Sequence, residues 1–491
     1  MHYLPPYRGK RRLGAEELFS DLPIPTQIVA SDEFVPVPQT ERQRAVERQL
    51  SDVVDVLAPR HGLERRDFLR SAGGMAAAFA AINGVFGPLF AIDPAEAAEP
   101  GAAAARSAAL REQHIVDVHT HFLRDDTRLT HLVDMRKHAA AQGWNPTLRG
   151  KPQTIEQLKF DNWFKEMFLD SDTKVALISG APSEIGRDWF LTNPMAIEAR
   201  DRINREAGSR RAMAHAIIQP GAPGWLDAID RDIALRPDAF KGYTIGDNTH
   251  KDLAKPWRLD DETLVYPLYE KAAKAGLTNI CIHKGLFSNA LEKRYPYLRR
   301  YADVSDVAKA AKDWPQLNFL IYHAGYRHVG GQPGEAWQEF SRTGRLSWVS
   351  DLAEIPHAHG VSNVYADIGQ SFANTIVDDP RVAAAMLGIL VKGLGPEQII
   401  WGTDAVWTGS PQWQIEGLRR LEIPDEMERE HGFVQLGSAD GPTKTAIFSG
   451  NASRLFNLQP QRKADRFDDH KASYLAGGAM PSNRRYGYVS A

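Results

Sequence analysis

The run Ile115-Val116-Asp117-Val118-His119-Thr120-His121-Phe122 begins with two apolar residues and carries two histidines near its end. It opens a repeating pattern, in which a short β-rich run ends in Gly, Pro or a polar residue and a helical stretch follows. The seven further runs are Lys174–Gly180, Ala212–Gln219, Phe240–Gly246, Asn279–Gly285, Asn318–Gly325, Asn363–Gly369 and Ile399–Ala405. Eight such runs alternating with helices predict an α/β fold of the parallel (β/α)8 TIM-barrel type. A doubly wound sheet that binds dinucleotides would need a glycine-rich loop after its first strand, where this chain has histidines.

Polar side chains end four of the eight runs. Strand alternation places His119 and His121 on one face of the first run, and His283, His323 and Asp404 end the fifth, sixth and eighth runs. The carboxyl ends of barrel strands meet at the active-site mouth. Any one of these residues alone would more often be a hydrogen-bonded structural residue. Four such strand endings together are improbable as ordinary core residues, because buried His and Asp side chains need polar partners. The set therefore predicts a metal site.

The composition restricts the possible metal ligands of that site to histidines and carboxylates. The chain has 491 residues and one cysteine, Cys281, which excludes an intramolecular disulfide, a cysteine-only zinc knuckle and an iron–sulfur cluster. The 59 Lys and Arg residues against 62 Asp and Glu give a net charge of −3, so there is no electrostatic footprint for nucleic acid. The expected partner is a small-molecule substrate.

Taken together, the motifs resemble the amidohydrolase superfamily. The similarity is to the amidohydrolase-related branch that includes aminocarboxymuconate semialdehyde decarboxylase, and it covers roughly residues 114–458. The segments that carry it are Asp117-Val118-His119-Thr120-His121-Phe122, Phe240-Lys241-Gly242, Ile282-His283-Lys284-Gly285, Tyr322-His323-Ala324-Gly325, Gly402-Thr403-Asp404 and Ser449-Gly450-Asn451-Ala452-Ser453-Arg454-Leu455-Phe456.

The resemblance implies that His119, His121, His283 and Asp404 bind one divalent ion, usually zinc, and that His323 acts on the substrate. Three imidazoles, a carboxylate and an open water position are the composition of a catalytic zinc site. Such an ion lowers the pKa of a bound water from 15.7 to about 7. Asp404 could then accept the proton of that water and deliver it to the leaving group, while His323 polarises the substrate carbonyl.

Lys241 leaves the number of ions open. A carboxylated Lys241 would bridge two metals, with His323 joining His283 on the second ion. Its position well before the apparent strand end at Gly246 favours a single ion. The remaining alternatives for this lysine are an ion pair with a carboxylate inside the barrel and a contact with the substrate.

The sequence predicts a hydrolase that uses a metal-activated water to attack an amide, ester or lactone carbonyl. The alternative is a non-oxidative decarboxylase or C–C hydrolase of a small aromatic or unsaturated carboxylic acid in the same site. Tyr326, Arg327 and Trp407 follow the sixth and eighth strands and are candidates for lining the pocket, where Arg327 could pair with a substrate carboxylate. Large barrel enzymes often pair, which allows a homodimer.

The segment before the barrel resembles a bacterial twin-arginine export signal. Glu64-Arg65-Arg66-Asp67-Phe68-Leu69-Arg70 precedes a mildly apolar run from Ser71 to Ile92, with small residues at Ala95 and Ala97. This implies a partner in the export machinery and a periplasmic location. The alternative is a buried Ala-rich helix in a cytoplasmic protein, and the long segment before the arginines is unusual for such a signal. The expected division is a leader at 1–97, a barrel at 98–458 and a tail at 459–491.

Overall fold

Eight parallel strands form a barrel in which each strand pairs with the next one along the chain. The structure is a computed structural model that describes residues 22–127, 129–459 and 464–488. The strands are β1 (Val116–His121), β2 (Val175–Ser179), β3 (Ala212–Ile218), β4 (Ala239–Tyr243), β5 (Asn279–His283), β6 (Asn318–Tyr322), β7 (Val364–Asp367) and β8 (Ile399–Ile400). The predicted (β/α)8 barrel is confirmed.

The segment that follows β8 brings the two edges of the sheet together. The carbonyl of Trp401 accepts a hydrogen bond from Val118 N at 3.0 Å, and Asp404 N donates to the carbonyl of His119 at 2.8 Å. The buried carboxylate of Asp117 also accepts from Thr403 N at 3.1 Å. Because β8 itself has only two residues, these contacts fix the positions of His119 and Asp404 relative to each other.

Helices surround the barrel and also precede it. From residue 22 onward, five helices come before β1: α1 (Glu41–Arg60), α2 (Arg65–Leu69), α3 (Ala72–Phe86), α4 (Pro94–Ala98) and α5 (Pro100–Leu110). The others are α6 (His131–Ala141), α7 (Phe160–Phe164), α8 (Asn193–Ala207), α9 (Trp225–Ala234), α10 (Tyr266–Lys274), α11 (Asn289–Arg294), α12 (Arg299–Ala302), α13 (Val307–Asp313), α14 (Glu335–Thr343), α15 (Val349–His359), α16 (Ser371–Asp378), α17 (Pro380–Leu394), α18 (Gln412–Arg420), α19 (Asp425–His431), α20 (Pro442–Thr445), α21 (Asn451–Leu455) and α22 (Arg466–Ala476).

Strand β4 ends earlier than its sequence indicates. The apolar run predicts a strand as far as Gly246, but the strand ends at Tyr243 and the next three residues turn, with Gly246 at φ 82°. Lys241 is therefore two residues from the strand end. In the sheet register Tyr243 pairs with His283 and Lys241 pairs with Cys281, which places Lys241 one layer below His283.

Helices α1 to α4 pack into the same hydrophobic core as the barrel helices. The two arginines of the predicted export motif lie in α2, and the apolar run that follows them forms α3. Phe79 of α3 is fully buried, and its ring centroid lies 4.6 Å from that of Phe90. Within the residues described, no helix combines the length and the hydrophobicity needed to cross a membrane.

Candidate metal centre at the carboxyl end of the barrel

His119 and His121 converge on one carboxylate. Their Nε2 atoms lie 3.3 and 3.4 Å from Oδ1 of Asp404, and all three side chains are at least 97% buried. Ligand atoms of the three residues lie within 4.8 Å of one another, which is close enough for one ion to contact them all. The β1 spacing and the closure of the barrel thus bring together three of the four predicted ligands.

Hydrogen bonds on the far side of each ring determine which nitrogen faces the centre. Nδ1 of His121 lies 2.8 Å from the carbonyl oxygen of Ser179, and Nδ1 of His119 lies 2.9 Å from Oδ1 of Asp367. A carbonyl oxygen only accepts, so Nδ1 of His121 carries the hydrogen, and Asp367 has the same effect on His119. Burial lowers the pKa of both histidines well below the usual range, which keeps the rings neutral and leaves a lone pair on each Nε2.

His323 is oriented in the same way. Its Nδ1 lies 2.9 Å from the carbonyl oxygen of Gly369, and its Nε2 is buried with no hydrogen-bond partner among the described residues. Burial lowers its pKa well below the usual range, so this ring is also neutral. Nε2 of His323 is therefore an acceptor. This geometry suits a proton acceptor or a metal ligand better than the carbonyl-polarising role that the sequence predicts.

His283, the fourth predicted ligand, lies beside His323 and faces a different carboxylate. The two ring centroids are 4.5 Å apart, and Nε2 of His283 is 2.8 Å from Oε1 of Glu33. Glu33, His283 and His323 form a second group whose ligand atoms lie within 4.8 Å of one another. The structure thus places the predicted ligands in two adjacent groups rather than in a single cluster of four.

The backbone is strained at two of the converging residues. Asp404 has φ 58° and His323 has φ 64°, in the left-handed region that non-glycine residues rarely occupy. Such conformations cost on the order of 1–3 kcal/mol each and tend to occur at functional sites. The fold therefore accepts a local cost in order to aim these two side chains into the cavity.

Three buried carboxylates and one buried lysine set the charge of the centre. Burial, reinforced by the charges of Asp32 and Glu33, raises the pKa of Asp404 well above its usual range. Burial lowers the pKa of Lys241 to about 8, and its Nζ lies 3.4 Å from the centroid of the Tyr322 ring. In the described part of the chain Nζ of Lys241 has no hydrogen-bond acceptor.

A narrow cavity gives access to the histidines. It has about 340 Å³ of space that atoms do not fill, including the part open to solvent. Its wall includes Tyr243, stacked on His283 with ring centroids 5.1 Å apart, and Phe190. Asp32 and Glu33, from the chain before α1, also line it.

The pocket candidates from the sequence fall into two groups. Trp407 is buried next to the centre, with its ring stacked on His121 at a centroid distance of 5.9 Å. Tyr326 and Arg327 do not line the cavity. Tyr326 is buried elsewhere in the core, and Arg327 is paired with Glu292 at 2.6 Å, so its charge is already matched within the protein.

Sequence reasoning missed Asp367 and Glu33. Asp367 ends β7 and meets the criterion applied to His283, His323 and Asp404, a polar residue at the end of an apolar strand, so it could have been found. Glu33 gave no such signal, because it lies in a segment without helix or strand periodicity and contacts a residue 250 positions away.

The donor set fits a divalent cation. The lone pairs of His119 and His121 point at Oδ1 of Asp404, which has no hydrogen-bond donor among the described residues. Acceptor atoms that face one another repel unless a cation or a proton lies between them. Imidazole nitrogens with a carboxylate are the ligand types that zinc and related ions bind. Asp367 behind His119 is the outer carboxylate that commonly orients a metal-bound histidine.

Comparison with known proteins assigns the family. The chain resembles the solved structure of 5-carboxyvanillate decarboxylase from Sphingomonas paucimobilis, with 14% identity over 71% of this chain and 100% of that chain and a TM-score of 0.40. It also resembles a putative 2-pyrone-4,6-dicarboxylic acid hydrolase from Pseudomonas putida, with 13% identity over 71% of this chain and 98% of that chain and a TM-score of 0.40. A third similar structure is a dihydroxybenzoic acid decarboxylase from Polaromonas with bound manganese, with 16% identity over 70% of this chain and 97% of that chain and a TM-score of 0.40. At these scores the likeness says nothing about substrate.

No curated protein sequence matches the chain. A family model described as amidohydrolase matches residues 116–458, and the chain therefore belongs to the amidohydrolase family.

Proposed function

We propose that this protein is a metal-dependent hydrolase of an amide, ester or lactone bond in a small organic substrate, with zinc as the ion. The observation that carries the proposal is the convergence of the His119 and His121 Nε2 lone pairs on the Asp404 carboxylate at 3.3 and 3.4 Å. Family membership supports a metal-dependent enzyme. The chemistry inside the family differs from member to member, so the bond that is cleaved has to be argued from the site.

The side chains around the centre supply the proton transfers that hydrolysis needs. A divalent ion held there would polarise a carbonyl and make water more acidic. Asp404 accepts the proton of the attacking water and returns it to the leaving group. Nε2 of His323, an acceptor in this geometry, accepts a hydrogen bond from the water or from a substrate hydroxyl and orients it. Burial of both groups excludes bulk water.

Lys241 favours the second candidate function, removal of CO₂ from a carboxylic acid. It is a fully buried cation one layer below His283, and its Nζ contacts an aromatic ring rather than a carboxylate. A substrate carboxylate would match this charge. Carboxylation of Lys241 to bridge two ions is the other use of the same amine, and a metal count of two ions per chain, falling on Lys241→Ala, would favour it.

Product analysis in ¹⁸O-labelled water separates the two functions. Holoenzyme is screened against aryl esters, lactones and small aromatic carboxylic acids. Hydrolysis incorporates one labelled oxygen into the product acid and releases no CO₂. Non-oxidative decarboxylation releases CO₂ and leaves the product unlabelled. The first result is the one we expect, and the second would replace the leading proposal by the alternative.

Exchange of Asp404 for Asn tests whether the centre is catalytic. The amide cannot accept the proton, so Asp404→Asn should lower kcat by a factor on the order of 100 or more while part of the metal is retained. Asp425→Asn, an exposed change in the first turn of α19, is the matched control and should leave kcat unchanged. Full activity of Asp404→Asn would remove this residue from the mechanism.

A further inference from the structure

The chain before α1 lies against the metal centre. Residues 22–38, called the N-terminal strap below, place two carboxylates at the carboxyl end of the barrel. Asp32 accepts a hydrogen bond from Nε2 of Gln370 at 2.9 Å, and Oε1 of Glu33 lies 2.8 Å from Nε2 of His283. The side chain of Glu33 is 90% buried in this position. The strap therefore forms one wall of the catalytic cavity.

Several contacts hold the strap in this position. Ile28 pairs with Tyr486 as in a parallel sheet, and Val29 N donates to the carbonyl of Tyr486 at 2.9 Å. Oε1 of Glu47, in α1, accepts from Thr26, which precedes Glu33 in the strap, at 2.5 Å and from Gln39, directly after the strap, at 2.6 Å. Glu33 thus enters the centre from a segment fixed on both sides.

The position of Glu33 relative to two histidines gives it a chemical role. Its carboxylate, His283 and His323 offer ligand atoms within 4.8 Å of one another, and Nε2 of His323 is buried without a donor among the described residues. A cation in place of the proton between Glu33 and His283 would be bound by both.

We propose that Glu33 is a protein ligand of the metal centre on its His283–His323 side, and that the active enzyme consequently retains the N-terminal strap and helices α1–α4. The inference rests on the proposed metal-dependent function. It adds a ligand from outside the barrel to those that the β-strands supply.

Buried ion pairs between α4, α5 and α18 support retention of the segment. Oε2 of Glu96 in α4 accepts from Arg420 at 2.5 Å, and Arg106 of α5 donates to Glu416 at 2.9 Å. The guanidinium of Arg420 also lies over the ring of Phe79 in α3. Removal of residues 1–97 would take away Glu96 and Phe79 together with Glu33, leave Arg420 without two of its contacts and open the cavity. Export, if it occurs, would then have to leave this segment attached.

The metal affinity of Glu33→Gln tests the proposal on the full-length chain. Zn²⁺ dissociation constants are measured by competition with a chelator, for wild type, Glu33→Gln and the control Glu41→Gln, which alters an exposed carboxylate in the first turn of α1. We expect Glu33→Gln to weaken binding by about tenfold or more, since loss of even an outer-shell partner costs that much, and Glu41→Gln to bind as wild type does.

The outcomes distinguish this inference from the proposed function. Wild type that binds no Zn²⁺ would overturn both. Wild type and Glu33→Gln that bind equally tightly would overturn only the role of Glu33. The thermal midpoint of the metal-free variant, expected to match that of wild type, shows whether a loss of affinity reflects unfolding.

A second measurement needs no variant. The mass and N-terminal sequence of the holoenzyme recovered from the organism that makes it should show a chain that begins before residue 22. A chain that begins near Ala98 and carries its full complement of metal would overturn the proposal.

Discussion

Asp367 makes several contacts that orient the centre. Its Oδ1 lies 2.9 Å from Nδ1 of His119 and accepts a hydrogen bond from Gly369 N at 3.1 Å. Burial raises the pKa of Asp367 to about 8, against the lowering effect of the Lys241 charge. A proton on this carboxyl belongs on Oδ2, which has no partner among the described residues, so Oδ1 stays an acceptor. Asp367 also accepts a hydrogen bond from His323 N at 3.4 Å, so its role is to position both histidines and to select the tautomer of His119.

Asp367→Asn should weaken metal binding by about 10- to 100-fold without loss of fold. The neutral amide can donate as well as accept, so it no longer selects the His119 tautomer with its lone pair on Nε2. Chelator competition measures the affinity, and circular dichroism checks the fold. Asp425→Asn is again the control, and an Asp367→Asn protein with unchanged affinity would show that His119 needs no such partner.

At the residue scale the sequence predicts the ligands that strands supply. His119, His121 and Asp404 could be predicted because alternation and strand ends are local properties of the chain. The tautomer of His323 could not, because the carbonyl of Gly369 that sets it lies 46 positions away. Glu33 could not be found either, since nothing in residues 22–38 indicates which part of the barrel they contact.

Among the elements, the short β8 and the turn after it determine whether the centre forms. Gly402 lies between Trp401, which pairs with β1, and Asp404. A Cβ atom at Gly402 would lie 2.7 Å from Cβ of His119 and closer still to Oδ2 of Asp367. Only glycine leaves room for both side chains here.

Gly402→Ala should therefore disturb metal binding from a position that offers no ligand atom. The added methyl displaces His119 or Asp367, and overpacking of this kind costs about 1–3 kcal/mol in free energy of unfolding. Metal content and urea unfolding measure the two effects. Gly186→Ala, at a site where a Cβ meets nothing within 4 Å, is the control. Wild-type metal content in Gly402→Ala would contradict the close packing.

At the element scale, periodicity predicts that all eight strands exist and is less accurate about where they end. The pattern predicts that β4 reaches Gly246 because Thr244 and Ile245 are typical strand residues. The chain instead turns after Tyr243, where the Thr244 carbonyl accepts from Trp257 N at 2.9 Å, a contact with a loop that sequence patterning does not reveal. The correction matters because it moves Lys241 closer to the metal centre than the sequence suggested.

For the whole molecule, the buried ion cluster around Glu416 joins the helices before β1 to the barrel. Burial would raise the pKa of Glu416, but the charges of Arg419, Arg106 and Arg420 outweigh it and hold the pKa at about 2. No sequence pattern indicates this cluster, because Arg106 and Glu416 are 310 positions apart. Packing of residues 41–110 on the barrel was for the same reason not predictable.

This depressed pKa makes part of the stability pH-dependent. An unfolded Glu has a pKa of about 4.3, so the cluster stabilises the fold fully above that pH and loses its effect as the pH falls towards 2. Glu416→Gln should lower the free energy of unfolding by about 3 kcal/mol at pH 7 and by less at pH 3.5. Urea unfolding at both pH values measures the difference. Exposed Glu422→Gln is the control, and an equal loss at both pH values would contradict the ion cluster.

Metal stoichiometry shows most directly whether the strand-end side chains converge to hold an ion. The full-length chain is purified, equilibrated with Zn²⁺, freed of excess metal and analysed by inductively coupled plasma mass spectrometry. A matched pair of double variants is compared with wild type: His119→Ala with His121→Ala, and His357→Ala with His359→Ala, the second pair being exposed at the end of α15. We expect metal bound in near-stoichiometric amount by wild type and by the second variant, and none by the first. Undiminished metal in the His119 and His121 variant would show that these strand-end histidines do not hold the ion.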